Sequence, residues 1–325
     1  MEKDHSIESL RGVAIILVLG LHISGDAPLQ SVQEFYSYIA YTFQNVRIPL
    51  FTVISGYLYS IRPAENGLFC GFLQGKARRI ILPFLVVATA EYLATSLAPG
   101  VNNPTPIQGI WNIFFFPYEH YWFLQAIFVV FIVTGFVDIN GWLNNFRRWA
   151  FIFSLTLIPF LFFPSINFQF LAIGPAFYIL PFFILGIGLN RYQDKLFSIK
   201  YLRICGAVFL FSFLLHQFLW VEGHVQIGGK RTALGLSQSV SACILLFYIR
   251  RPIWGLKFIG TYAFSIYLYQ GFGTAIGRRI GEAFFIEDPH TYFLIVLTIG
   301  IFVGIIAEMI FRKSKALRPF MLGLK

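Results

Sequence analysis

Residues 7–24, IESLRGVAIILVLGLHIS, decide what kind of fold this chain has. The run from Gly12 to Leu21 is wholly apolar, and with its flanks it approaches the roughly 20 residues that a bilayer-spanning helix needs. It nevertheless carries Arg11 near one end and His22 near the other. On an α-helix, eleven residues rise about 16 Å and turn three times plus about 20°, so both side chains fall on one face. Ionisable groups within a membrane are costly and usually face a bundle interior or a water-filled cavity. The stretch therefore predicts a membrane bundle with a polar seam. It lacks a small-residue cleavage site, so it reads as an uncleaved first span rather than a signal peptide.

Working outward, the composition repeats the message. Of 325 residues, 57% are hydrophobic and 12% charged, and the mean hydropathy is +0.69. Soluble domains are about a quarter charged, so this chain has too few polar side chains to solvate a globule. A cytosolic enzyme and a disordered tail are both excluded. Ten apolar runs predict spans at about 7–24, 46–61, 79–98, 123–137, 149–164, 168–189, 202–220, 232–249, 256–276 and 291–311, with kinks at Pro175 and Pro181 in the sixth. Placing the N-terminus inside leaves only Arg47, Lys230, Arg231, Arg278 and Arg279 outside, five of the 25 Lys and Arg. Cationic loops translocate poorly. The expected fold is thus all-α, a polytopic membrane helix bundle of about ten transmembrane helices, with both termini cytoplasmic and residues near Asn102 outward. Residues 1–325 read as a single domain. The net charge of +10 is divided among loops, which removes nucleic acid as a partner. Cys70, Cys205 and Cys243 are scattered without metal-ligand or disulfide spacing, so no metal site is expected.

The polar residues within the apolar runs are the candidates for function, and each has a blander reading beside it. Arg11 is a seam residue or an interface anchor paired with Glu8; His22 is a proton acceptor or a packing histidine. Arg47 marks the outer end of the second run and suits an anionic or polar acceptor, while Ser55-Gly56 near its middle also suits close helix approach. Lys76, Arg78 and Arg79 open the third run, as topology determinants or as a cradle for phosphate. Glu91, Glu119, His120, His216, Glu222, His224 and Gln270 collect in the outer half, and Glu91 or Glu119 is a candidate partner for His22. His216 and His224 read as structural or interfacial. Tyr118, Tyr121 and Trp122 read first as an interfacial aromatic belt and second as a stacking surface for a sugar. Gly186-Ile187-Gly188 lacks the strand context of a dinucleotide loop. Gly273/Gly277 and Gly300/Gly304 read as helix packing.

Five segments in order then carry a resemblance. Ile7-Glu8-Ser9-Leu10-Arg11 with His22 resembles the Arg-x10-His opening of the membrane-bound acyltransferase 3 family. Arg47-Ile48-Pro49-Leu50-Phe51 through Ser55-Gly56-Tyr57 is similar to its Pro-Leu-Phe-Phe-x-x-Ser-Gly helix. Arg78-Arg79 followed by Pro83-Phe84 resembles its basic loop and Pro-aromatic third helix. His120-Tyr121-Trp122-Phe123-Leu124 is similar to a Trp-Phe-Leu span start, and Ser265-Ile266-Tyr267-Leu268 to a late Ser-x-Ile-Tyr-Leu-x-His segment. Gln270 stands where many members have His, and an amide cannot relay a proton.

The resemblance implies transfer of an acyl group, acetyl by expectation, from cytoplasmic acyl-CoA to a hydroxyl of a sugar, polysaccharide or lipid-linked acceptor. His22 and Arg11 are then expected to be catalytic, with His22 as general base. Arg11, Lys76, Arg78 and Arg79 are expected to hold acyl-CoA, and Arg47, Ser55, Glu119, His120 and Trp122 the acceptor. No tightly bound cofactor is expected, acyl-CoA (acetyl-CoA) being a co-substrate. Membrane lipid and the glycan or lipid-linked acceptor are the expected partners, and the bacterial cytoplasmic (inner) membrane the expected location. No fused esterase-like domain is recognised, which implies direct transfer. The competing class is a membrane transporter or channel in which Arg11 and His22 line a permeation path; inverted repeats or matching broken helices would mark it, and the sequence has neither.

Overall fold

A computed structural model describes residues 4–25, 30–97, 106–162 and 168–324. Asn102 and most of its Pro/Gly/Asn turn cluster lie outside the described residues. Every regular element described is helical, with no strand. In chain order the α-helices are α1 (His5–Gly25), α2 (Gln30–Thr42), α3 (Arg47–Ile61), α4 (Phe69–Lys76), α5 (Leu82–Leu97), α6 (Asn112–Phe115), α7 (Trp122–Ile139), α8 (Phe146–Phe162), α9 (Ile173–Arg191), α10 (Gln193–Leu196), α11 (Ile199–Val221), α12 (Ala233–Ile249), α13 (Trp254–Thr261), α14 (Ala263–Ala283), α15 (Pro289–Lys313) and α16 (Arg318–Leu322). A π-helical turn, Ala77–Ile81, joins α4 to α5.

Six stretches are long and apolar enough to cross a membrane: His5–Ser24, Phe69–Leu97, Ile107–Ile139, Phe170–Arg191, Ile199–Val221 and Pro289–Lys313. The pair α12–α13, bent by 115°, raises the number to at most seven. The sequence expectation of ten exceeds this for a physical reason. Fifteen-residue α3 rises only about 22 Å, less than a hydrocarbon core. Helix α8 is similarly short, and α14 carries Arg278, Arg279 and Glu282. Two boundaries also move. The third run begins at Phe69 rather than 79, its polar first turns hidden by Gln74, Lys76, Arg78 and Arg79. The ninth, 256–276, is broken at Tyr262 into α13 and α14, which places Arg278 and Arg279 inside a helix and not in an outer loop.

Small residues set the closest helix contacts, as the Gly spacings predicted. A Cβ on Gly56 would meet the Phe183 carbonyl oxygen at 2.0 Å, and one on Gly186 would meet that of Val53 at 2.1 Å, so α3 and α9 touch backbone to backbone. Gly186 therefore serves packing, and Gly188 makes room for the Trp149 indole. Gly273 faces Gly300 across α14 and α15 in the same way. At the start of α1, Gly12 admits the Leu256 carbonyl of α13, and Ser9 Oγ accepts a hydrogen bond from Ile253 N at 2.9 Å. That clamp fixes the end of α1 that carries Arg11.

Helix ends are tied by local chemistry. Asp288 accepts from Thr291 N at 2.7 Å at the start of α15, and hydrogen bonding from the Thr291 side chain and then its backbone holds the carboxyl below the usual range. Toward the other end of the bundle, Arg191 forks onto Asp138 at 2.6 and 2.7 Å, while Tyr59 donates to the same carboxylate at 2.9 Å. With Asp138 only 6% exposed, this triad joins α3, α7 and α9. A charged side chain in that place is tolerated because it is fully paired.

Candidate active site

The site is assembled at one end by the π-helical turn. Extra residues in such a turn re-aim side chains, and these turns often mark functional sites. Here it carries Arg78 and Arg79, backed by α16, whose following Gly323 (φ +65) lies against the Arg79 backbone. Lys76 leans inward, its ammonium 4.0 Å from the Phe131 ring centroid and 5.2 Å from that of Phe72.

A cavity of about 650 Å³ opens at this turn. Its mouth gathers Arg11, Arg62, Lys76, Arg78 and Arg79 from α1, the end of α3 and the π-helical segment. Its walls are apolar and aromatic, including Phe51, Leu58, Phe72, Phe123 and Phe131, and Ser55 and Tyr267 add hydroxyls. The volume lies within the range of small-molecule sites. Arg11 is also paired with Glu8, Nη1 to Oε2 at 3.2 Å, with its side chain 32% exposed, so the anchor and cavity readings both describe it. Ser55 Oγ donates to its own helix at Phe51 O, 3.0 Å, which leaves its lone pairs toward the cavity wall.

His22 does not line this cavity. Its ring stands edge-on to His120 with centroids 5.9 Å apart, and His120 in turn lies edge-on to Tyr267 at 5.5 Å. Tyr267, which does line the cavity, donates its hydroxyl to the His120 carbonyl. His120 is turned inward from a left-handed backbone at Glu119 (φ 41), a strained conformation for a non-glycine residue. The result is a buried His120 whose Nε2 has no hydrogen-bond partner among the described residues, and an exposed Glu119. Tyr121, expected in an interfacial belt, is instead wholly buried: its hydroxyl bonds Glu91 Oε2 at 2.7 Å and the Leu268 carbonyl at 3.0 Å. Glu91, Tyr121, His120 and His22 thus form one chain of contacts. Arg278 closes the far side, donating to the His22 carbonyl at 2.9 Å.

The structure accordingly brings Arg11, Lys76, Arg78 and Arg79 together at one mouth and seats His22 and His120 beyond its inner end. The acceptor candidates separate. Ser55 is in the main cavity, His120 is between the sites, Glu119 is at the surface, and Arg47 and Trp122 are associated with a second cavity toward the opposite end. His216 is a packing residue: fully buried, stacked on Tyr41 at 3.9 Å and 3.1 Å from Gln44 Nε2. Sequence reasoning missed Arg62, Arg278 and Tyr267 as site residues. Tyr267 was present in a recognised segment, and Arg62 directly follows the Ser-Gly helix. Nothing local marked Arg278, because its role comes from the docking of α14 on α1.

Comparison with known proteins gives the family of the chain. The family model described as an acyltransferase domain (acyltransferase 3) matches residues 4–309, nearly the whole chain. No curated protein and no solved structure matches it. The chain belongs to this acyltransferase family, and its apolar helices make it an integral membrane protein.

Proposed function

We propose that the protein transfers an acyl group, acetyl in the simplest case, from acyl-CoA to a hydroxyl of a sugar, polysaccharide or lipid-linked acceptor at the bacterial cytoplasmic membrane. The observation that carries this reading is the basic mouth on an otherwise aromatic cavity, with a histidine pair just past its inner end. Charged nucleotide phosphates suit Arg11, Arg62, Lys76, Arg78 and Arg79, because guanidinium forks match phosphate oxygens. The apolar walls suit the pantetheine arm, and Tyr267 stands where the thioester would arrive.

In the reaction, His22 accepts the proton of the acceptor hydroxyl as that oxygen attacks the thioester carbonyl. The carbon–sulfur bond breaks, and the imidazolium returns its proton to the departing thiolate, leaving an ester and free CoA. General-base help of this kind is worth about 10²–10⁴-fold. His120 and Tyr267 position the base by packing and hydrogen bonding. Arg11 acts at the other end of the same helix, on the donor. Contact of Arg11, Lys76, Arg78 and Arg79 with acyl-CoA belongs to this proposal, as does one catalytic unit extending through the chain.

The test is incubation of purified protein in lipid nanodiscs with radiolabelled acetyl-CoA and candidate hydroxyl acceptors. Acceptor-dependent CoA release with label transfer is the expected result. Failure to bind acetyl-CoA under any condition would overturn the reading.

A further inference from the structure

Toward the opposite end of the bundle lies a second cavity of about 340 Å³, bounded by Ile48, Trp122, Pro175, Tyr178, Lys230 and Arg231. Arg47, the residue before Ile48, is 3% exposed. Its side chain makes one hydrogen bond, Nη1 to the Ala40 carbonyl at 3.1 Å, and among the described residues no carboxylate pairs with it or with Lys230. A buried guanidinium without a counter-ion is strongly disfavoured, and a bound anion relieves that cost. Lys230, by contrast, is exposed at the rim, close enough for the Arg47 charge to act on it. Lys230 and Arg231 thus border one small space, and the buried Arg47 guanidinium lies near them, although cations are scarce at this end of the bundle.

The cluster is built and held. Gly228 O accepts from Asn45 Nδ2 at 3.1 Å and Gln44 Nε2 at 3.3 Å, fastening the loop that carries Lys230 and Arg231 onto the entry to α3. Thr232 then caps α12, accepting from Gly235 N at 3.0 Å. Arg231 is aimed by a hydrogen bond from Nη2 to Gly174 O at 2.9 Å and lies 5.6 Å over the Tyr178 ring.

The position of this cavity connects it to the other. Trp122 borders it, while the neighbouring Phe123 borders the large cavity; Ile48 borders it, while Phe51, one turn along α3, borders the large one. The two spaces therefore back onto a common partition, and His120 lies in the same strip of chain.

We infer that this cavity anchors a negatively charged group of the acceptor, a carboxylate on a sugar or a phosphoester of a lipid carrier, so that a hydroxyl farther along the same molecule reaches the partition from the side opposite the acyl donor. The inference deepens the acyltransferase reading and rests on it for the word acceptor; the anion site itself does not require transfer to occur. Trp122 offers a flat face for a sugar ring, and the two guanidinium forks match either oxyanion.

The test uses the full chain in nanodiscs of neutral phosphatidylcholine and measures binding of three probes: a glucuronate-containing disaccharide, a short isoprenyl pyrophosphate and a neutral disaccharide. Tighter binding of either anionic probe than of the neutral one is expected, and which probe binds identifies the source of the charge. Lys230→Gln with Arg231→Gln should weaken that binding about tenfold, the scale of one charge-assisted hydrogen bond, while acetyl-CoA affinity stays unchanged and so reports intact folding. Because the donor mouth is also basic, Arg78→Ala with Arg79→Ala serves as the reverse control and should keep the anionic probe. Equal affinity for all three probes, or undiminished anionic binding in the Lys230/Arg231 variant, overturns the inference. Loss of acetyl-CoA binding by the wild type would instead sink the acyltransferase reading alone. Should the paired substitution unfold the chain, Arg47→Gln examined by the same probe comparison provides the second variant, with the same expected loss.

Discussion

The imidazole of His22 stands edge-on to that of His120 at 5.9 Å, the first from the end of α1 and the second from the strained turn before α7. Their juxtaposition places a candidate base against a residue whose carbonyl is held by Tyr267, a wall of the large cavity. Tyr267→Phe removes that hydrogen bond and leaves a buried carbonyl unpaired, a cost of about 1–3 kcal/mol. Acyl transfer should fall while acetyl-CoA affinity holds. A variant with wild-type turnover and wild-type thermal stability would show that the hydrogen bond positions nothing.

At the basic mouth, Arg78→Ala with Arg79→Ala should weaken acetyl-CoA binding by at least about tenfold, since each lost guanidinium removes charge-assisted hydrogen bonds to phosphate. Isothermal titration on nanodisc-embedded protein reads this directly. The effect should shrink in high salt, where the wild type also weakens. Unchanged affinity would reduce these residues to topology determinants.

Asp138 supports the same cavity from behind, because Tyr59 is shared between the clamp and the cavity wall. Asp138→Asn leaves Arg191 facing a neutral amide and should destabilise the protein by on the order of 3 kcal/mol. A fall in thermal midpoint is the expected outcome, and donor affinity should follow it down. An unshifted midpoint would mean the pair is energetically idle.

Orientation in the membrane can be read with cysteines. Cys70 is exposed beside the basic turn. With Cys205 and Cys243 replaced by Ala, Cys70 should react with an impermeant thiol reagent only after the cytoplasmic face is opened. Glu222→Cys, placed on an exposed residue between α11 and α12 in a background lacking the native cysteines, should react from outside. Labelling in the reverse pattern would invert the assigned topology.

Much of this arrangement was legible in the residues. The shared phase of Arg11 and His22 follows from helix geometry alone, and the dibasic step at Arg78-Arg79 marked the basic mouth of the cavity. The Gly spacings in α14 and α15 likewise forecast contact, since small residues let helix backbones approach closely. What was not legible is non-local. No local pattern pairs Glu91 with Tyr121 or brings Arg278 to the end of α1; such contacts depend on how distant helices dock. Apolarity alone does not set the span count: α3 runs between the two ends of the bundle, yet its fifteen residues fall short of the length of a hydrocarbon core. Lys230 and Arg231 were visible only as two of few outer charges, and their convergence on Arg47 required the folded loop.

The most direct test is single-turnover transfer with His22→Gln at matched expression, acetyl-CoA bound to saturation. An amide keeps hydrogen bonding but cannot take the acceptor's proton, so acetyl-CoA affinity should be retained and transfer should drop by about 10²-fold or more. A folded His22→Gln protein that transfers the acyl group at the wild-type rate would contradict the account, and would make His22 a packing residue beside His120.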